Sequence, residues 1–178
     1  LIAAHQARAF LPGHLLDSLA GLAARQGAAD RAANDEAPGK ILHEVRLTPR
    51  AWLGEATRGR RAYYGSVDAT ALFLIDFGTA YRWGAPREAL EALLPAARAA
   101  LGWLRGPGDR DGDGLIEYES SGPHSLRNQG WKDSDNGIQF PDGTLAGGAI
   151  AVVEAQGYAY RGRREFATTG LPIRDDGS

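Results

Sequence analysis

The chain has 178 residues, 43% of them hydrophobic and 24% charged, which is typical of one globular domain. Its net charge of −2 argues against a nucleic-acid partner, and the absence of cysteine excludes disulfides and thiolate-bound metals. No apolar run is long enough for a membrane span. The first residue is not Met, so we expect a fragment or a processed product. It is expected to be cytoplasmic because no signal-peptide pattern is present.

Apolar periodicity predicts four helical segments joined by long loops, an all-α pattern. The first segment runs from Leu15 to Gln26 and is expected to stop at Gly27. The second runs from Val67 to Trp83 behind an N-cap at Ser66. It is apolar on nearly every face, which predicts a buried helix.

The third segment begins near Pro86 and ends at the Gly-Pro-Gly of residues 106–108. Pro95 inside it is expected to kink or restart the helix. The fourth segment spans Ala149 to Tyr160. After Arg161 the periodicity is lost, so an atypical or disordered tail is expected at residues 166–178.

Two short extended segments are predicted between the helices. Residues 40–47 alternate as in a short strand, which would place Lys40, Leu42 and Glu44 on one face and His43 on the other. At most a short hairpin is expected around residues 115–119. The rest of the connecting chain is rich in glycine, and loops carried on a helical scaffold are a common place for functional residues.

An acidic loop begins at Asp109 and matches the start of a calcium-binding EF-hand, with Asp111 and Asp113 at positions 3 and 5 and Gly114 at position 6. Position 12 is Ser120 where a bidentate Glu is required. We therefore prefer a tight turn in which the Asp side chains accept bonds from backbone amides. No metal site is favoured.

The densest polar cluster lies at residues 128–136 and combines amides, carboxylates, a lysine and a tryptophan. Sugars require this mixture, because amides and carboxylates bond hydroxyl groups while an indole face covers the apolar side of a sugar ring. Buried aromatic surface beside an Asp can raise the pKa of its carboxyl, which suits a general acid. The alternative is an exposed polar turn.

Three smaller motifs accompany this cluster. Two tyrosines and Asp68 stand at the start of the buried helix, although the helix dipole alone would favour that carboxylate. The segment 35–44 carries a Lys, a His and a Glu. Glu154 and Gln156 interrupt the last apolar helix, either as a structural tie or as a wall of the site.

These strings, at 35–44, 63–70, 109–117, 128–134 and 154–158, occur in an order that resembles bacterial amylo-alpha-1,6-glucosidases, the glycogen-debranching group of glycoside hydrolases. The resemblance covers roughly residues 12 to 160. It implies part of an (α/α)6 toroid, the six-hairpin glycosidase fold, and hydrolysis of α-glucosidic bonds with inversion. Because the expected toroid has more helices than the four predicted, residues 1–178 are expected to form a single incomplete catalytic domain.

The resemblance also implies residue roles. The Gly-Trp-Lys-Asp string at 130–133 makes Asp133 the expected general acid, with Asp135 as runner-up, while the base comes from a later, missing part of the toroid. The expected partner is an α-glucan or glucosyl oligosaccharide, with no cofactor. The substrate-binding residues implied are Lys40, His43, Glu44, Tyr64, Asp68, Asn128, Gln129, Trp131, Lys132, Glu154 and Gln156.

Two alternatives remain open. One is a carbohydrate-binding module without catalysis, and the other is a calcium-binding module that uses Asp109, Asp111 and Asp113. The isolated chain is expected to be inactive or nearly so, because the base is missing.

Overall fold

The computed structural model describes residues 1–45, 62–121 and 125–171 and is mostly helical, which confirms the all-α class. Within these ranges the two strands pair antiparallel, with Glu44 opposite Tyr63. The elements are α1 (Ile2–Ala7), α2 (Pro12–Ala23), β1 (Glu44–Val45), β2 (Ala62–Tyr63), α3 (Ala69–Arg82), α4 (Arg87–Trp103) and α5 (Val153–Thr168). A short 3-10 helix, Ala32–Asn34, lies in the loop that follows α2.

Helix α3 is the centre of the core, as its apolar sequence predicts. Ten of its fourteen residues are buried, and it packs against α5, α4 and α2. The approach of α5 is close because two glycines face the contact. A Cβ on Gly78 would lie 2.6 Å from the Cβ of Glu165, and one on Gly162 would lie 2.9 Å from the Ala71 carbonyl oxygen. Phe77 and Phe166 then pack with ring centroids 5.7 Å apart.

Helix α4 is one continuous helix with Pro95 inside it, so of the kink or restart expected at that residue the restart is wrong. Pro95 is exposed, and the apolar stripe on the opposite face lies in the core. That burial holds the helix together across the missing backbone bond. The buried stripe residues are those the periodicity predicted: Leu90, Leu93, Leu94, Ala97, Leu101 and Leu104.

Helix α2 begins and ends three residues earlier than predicted, so Gly27 does not stop it. Gly27 instead pairs with the loop that returns toward β1, donating to the Lys40 carbonyl and accepting from the Gly39 amide. A Cβ at Gly27 would stand 2.3 Å from the Ala37 carbonyl oxygen, so the close approach requires glycine. Helix α1 was not predicted.

Helix α5 starts four residues later and ends eight residues later than predicted. Its start moves because Ile150 forms an antiparallel bridge with Tyr118, which is the extended pairing that residues 115–119 make where at most a short hairpin was expected. Its end moves because Phe166 is buried against α3, so the atypical tail expected from residue 166 is wrong as far as Thr168. Residues 172–178 lie outside the described residues.

The strand predicted at residues 40–47 is shortened to β1, and residues 46–47 lie outside the described residues. Its predicted alternation is wrong, because Lys40, Ile41 and Leu42 are buried in succession. The Ile41 amide donates to Thr70 Oγ1 of α3 at 3.0 Å, which holds this segment against the core.

None of the helices in the described ranges is both long enough and apolar enough to cross a membrane.

Candidate functional site

One open pocket of about 370 Å³ brings together five of the predicted site residues. They come from three separate parts of the chain: the end of the loop before β1, the start of α3, and the polar loop at residues 128–136. The five are His43, Asp68, Gln129, Trp131 and Asp133. Apolar side chains from α1, α2 and α3 line the remaining wall, among them Ile2, Leu22 and Leu72.

The N-terminus of α3 positions Asp68. Ser66 Oγ donates to the Asp68 carboxylate and accepts from the Ala69 amide at 3.2 Å. The N-cap residue of α3 is Asp68, so the N-cap predicted at Ser66 is wrong, although the Ser66 hydroxyl still accepts the first amide of the helix. Asp68 is half-buried and lines the pocket.

The polar loop is anchored by Asn128, which is buried. Asn128 Oδ1 accepts from Tyr118 Oη at 3.1 Å, and Nδ2 donates to the Ser134 carbonyl at 2.6 Å. Because these bonds occupy both ends of its amide, Asn128 holds the loop and does not line the pocket.

The anchored loop leaves Trp131, Lys132 and Asp133 on the surface. Trp131 is 71% exposed, so the aromatic surface beside Asp133 is open to solvent and not buried as the sequence suggested. Trp131 and Asp133 line the pocket, and Lys132 between them does not.

The structure does not bring Lys40 or Tyr64 to the pocket. Lys40 Nζ donates to the Asp35 carbonyl at 3.0 Å and lies 5.7 Å from the centroid of the Trp103 ring. Burial lowers the pKa of Lys40 to about 8, opposed by the nearby Asp35 charge. Tyr64 Oη donates to the Arg25 carbonyl at 2.8 Å, and burial raises the pKa of this phenol.

Gln156 is the structural tie that the sequence allowed as one reading. Its Oε1 accepts from the Ile116 amide at 2.9 Å, and its Nε2 donates to the Ile116 carbonyl at 2.7 Å. Glu154, in the first turn of α5, and Glu44, in β1, are half-buried and lie outside the pocket.

Asp135, the runner-up acid, belongs to a second pocket of about 620 Å³. There it is accompanied by Glu119, Arg127 and the glycines at 147–148. The second pocket is polar, and none of the described residues that line it is aromatic. Two carboxylates only two residues apart in the sequence are therefore presented to two different pockets.

The acidic loop gathers Asp109, Asp111, Asp113 and Glu117, with one carboxylate oxygen of each within 4.8 Å of the others. Each also accepts a backbone amide. Asp109 bonds Gly112 and Gly114, the other two Asp residues each bond the amide two residues ahead, and Glu117 bonds Arg110 at 2.8 Å. This is the tight turn preferred from the sequence. Burial, together with the three Asp charges, raises the pKa of Glu117.

Asp35 is a residue of this region that the sequence analysis did not single out. Its carboxylate accepts from the side chains of Ser121, Ser125 and Gln129, which follow it by 86, 90 and 94 residues. It has a φ of 56°, and it is the only non-glycine residue with positive φ in the described ranges. The sequence contains no signal for contacts over such separations.

No model of a known protein family matches this chain, and no curated protein matches it either.

Proposed function

We propose that the 370 Å³ pocket binds a glucosyl unit and that the protein is a glycoside hydrolase of the α-glucosidase, glycogen-debranching type. The observation that carries the proposal is that exposed Trp131 and the Asp133 carboxylate line one pocket together with His43, Asp68 and Gln129. The order of the sequence motifs supports the same class. The volume lies within the range of about 300–1,000 Å³ usual for small-molecule sites.

The pocket has the chemical groups that a sugar requires. The indole of Trp131 offers an apolar face for the C–H side of the ring. Carboxylate, amide and imidazole groups accept and donate the hydrogen bonds that hydroxyl groups need. A pocket with only apolar walls would not select a sugar, because the hydroxyl groups would lose their bonds to water without replacement.

Asp133 is proposed as the general acid. It would donate its proton to the glycosidic oxygen as the bond to the anomeric carbon breaks, while a water attacks that carbon from the opposite face. A base would remove the proton from the attacking water. No residue of this chain is assigned that role, because the resemblance places the base in a later part of an (α/α)6 toroid. The helices described here are proposed to be part of that toroid.

Binding is tested first, with maltooligosaccharides titrated into the chain and followed by isothermal calorimetry. Trp131→Ala is expected to abolish saturable binding. Trp83→Ala is the matched control, because Trp83 is also exposed, at 54%, but lines a different pocket. Equal affinities for the wild type and the Trp131 variant would contradict the proposed site.

Catalysis is tested by glucose release from branched and linear α-glucans with the open reading frame that encodes this chain. Asp133→Asn is expected to lower kcat by about 10²–10⁴-fold, the usual contribution of a general acid. Asp135→Asn is the control and is expected to remain near wild type. The reverse result would make Asp135 the acid. Saturable binding without release would favour the carbohydrate-binding module, and neither binding nor release would overturn the proposal.

The calcium-binding alternative is distinguished by the same protein. It predicts a Tm that rises with calcium concentration and a rise abolished by Asp111→Ala, because a ligand stabilises the state that binds it. The proximity of the four acidic side chains is the observation that favours this test. A Tm independent of calcium would remove the alternative.

A further inference from the structure

We infer that Asp35 is the positioning residue of the pocket: it fixes the polar loop that carries Gln129, Trp131 and Asp133 by accepting hydrogen bonds from Gln129 within that loop and from two serines that precede it. The inference rests on the proposed function for its consequence in carbohydrate binding. The positioning itself follows from contacts alone and is measured separately.

Asp35 is buried, at 8% exposure, between two parts of the chain that are distant in sequence. Its Oδ1 accepts from Ser121 Oγ and, at 2.8 Å, from Ser125 Oγ, while Oδ2 accepts from Gln129 Nε2 at 3.3 Å. Its carbonyl also accepts from Lys40 Nζ. A single carboxylate therefore ties Gln129 of the polar loop, and two serines that precede the loop, to the segment before β1.

The bonded loop is the one that forms the pocket. Gln129 lines the pocket directly, and Trp131 and Asp133 follow it by two and four residues. Two further bonds join this loop and the residue two positions before it to the scaffold. The Val67 amide donates to the Gln129 carbonyl at 2.8 Å, and the Leu126 amide donates to Tyr63 Oη at 2.8 Å. Both amides report whether the loop is seated.

A carboxylate is required here because every side-chain partner approaches as a donor. Ionised Asp has two acceptor oxygens and no proton of its own. Asn at this position would place an NH₂ group where one carboxylate oxygen now accepts, so either the buried Gln129 or the two more exposed serines would lose an acceptor. Bonds to a charged acceptor are also the stronger kind.

Glu36 provides a matched control one residue away. It is also buried, but within the described part of the chain its carboxylate bonds to residues 28–34 alone, namely the Ala28 and Ala29 amides and the side chains of Arg31 and Asn34. Asp35→Asn and Glu36→Gln therefore each remove one buried carboxylate charge. Only the first removes a tie to the polar loop.

The experiment measures amide hydrogen exchange and maltooligosaccharide affinity in the two variants and the wild type. Asp35→Asn is expected to reduce protection of the Val67 and Leu126 amides about tenfold and to weaken affinity by a similar factor. Glu36→Gln is expected to reduce protection at Ala28 and to leave affinity unchanged. If Asp35→Asn does not fold, Ser125→Ala removes one of the three ties and is expected to reduce the same protection several-fold.

The outcomes separate this inference from the proposed function. If the wild type binds no saccharide, the proposed function fails, and the exchange pattern alone then decides the role of Asp35. Unchanged protection of Val67 and Leu126 in the Asp35 variant would overturn the inference. An equal loss of affinity in both variants would also overturn it, because the effect would then follow from general stability.

Discussion

Lys40 offers the sharpest test of which predicted site residues are structural. Lys40 is buried, with 8% of its surface exposed. Its ammonium group donates a hydrogen bond to the Asp35 carbonyl and lies near the Trp103 ring. Burial lowers its pKa from 10.5 to about 8, with Asp35 raising it and Arg110 lowering it further. Between these two values the unfolded chain holds a proton that the folded protein has released. Stability contributed by Lys40 therefore increases with pH across this window.

The size of the effect follows from these two values. Linkage with a folded pKa of about 8 and an unfolded pKa of 10.5 raises the free energy of unfolding by about 2.5 kcal/mol between pH 7 and pH 10. Lys40→Met removes the titrating group and keeps most of the side-chain volume. Contacts that do not titrate, such as the lost hydrogen bond, shift the variant equally at both pH values. The tyrosines titrate in both proteins, so their contribution cancels in the difference.

The assay is urea unfolding followed by circular dichroism at pH 7 and pH 10. The stability of the wild type relative to Lys40→Met is expected to increase by about 2.5 kcal/mol between the two pH values. Lys132→Met is the matched control, since Lys132 is the other lysine of the chain and is exposed. Parallel pH profiles for the wild type and Lys40→Met would refute the reasoning. Loss of saccharide affinity in a folded Lys40→Met would restore Lys40 to the binding site.

Two further predictions concern buried polar groups. Glu117→Gln is expected to gain stability relative to the wild type as the pH rises from 3 to 7 in a chelating buffer. The reason is that the raised pKa of Glu117 means that the folded protein disfavours the charged carboxylate. A stability difference that is independent of pH would contradict this prediction. Gln156→Leu is expected to lower the free energy of unfolding by about 3 kcal/mol, since it leaves the buried Ile116 amide and carbonyl unpaired. Chemical denaturation measures that loss, and reduced saccharide affinity in the folded variant would instead indicate substrate contact.

The buried helices could be predicted because their signal is local. The stripe of α4 and the apolar faces of α3 repeat over several turns, and a repeat of that length identifies both the helix and its buried side. Helix α1 has only six residues, too few for a repeat, and the His5–Asp76 bond of 2.6 Å that ties it to α3 joins residues 71 apart. The start of α5 was misplaced because the Tyr118–Ile150 bridge takes apolar residues that also fit a helix.

For the candidate site, the polar and aromatic strings of the sequence identified which loops carry unusual chemistry, since that information is in the composition of each segment. They did not separate Gln129 at the pocket from Asn128 and Gln156, whose similar amides are used in internal bonds. They did not distinguish Asp133 from Asp135, which line different pockets, and they passed over Asp35. The helices must pack and bring the loops together before the direction of each side chain is set. Contacts between segments some ninety residues apart form only at that stage.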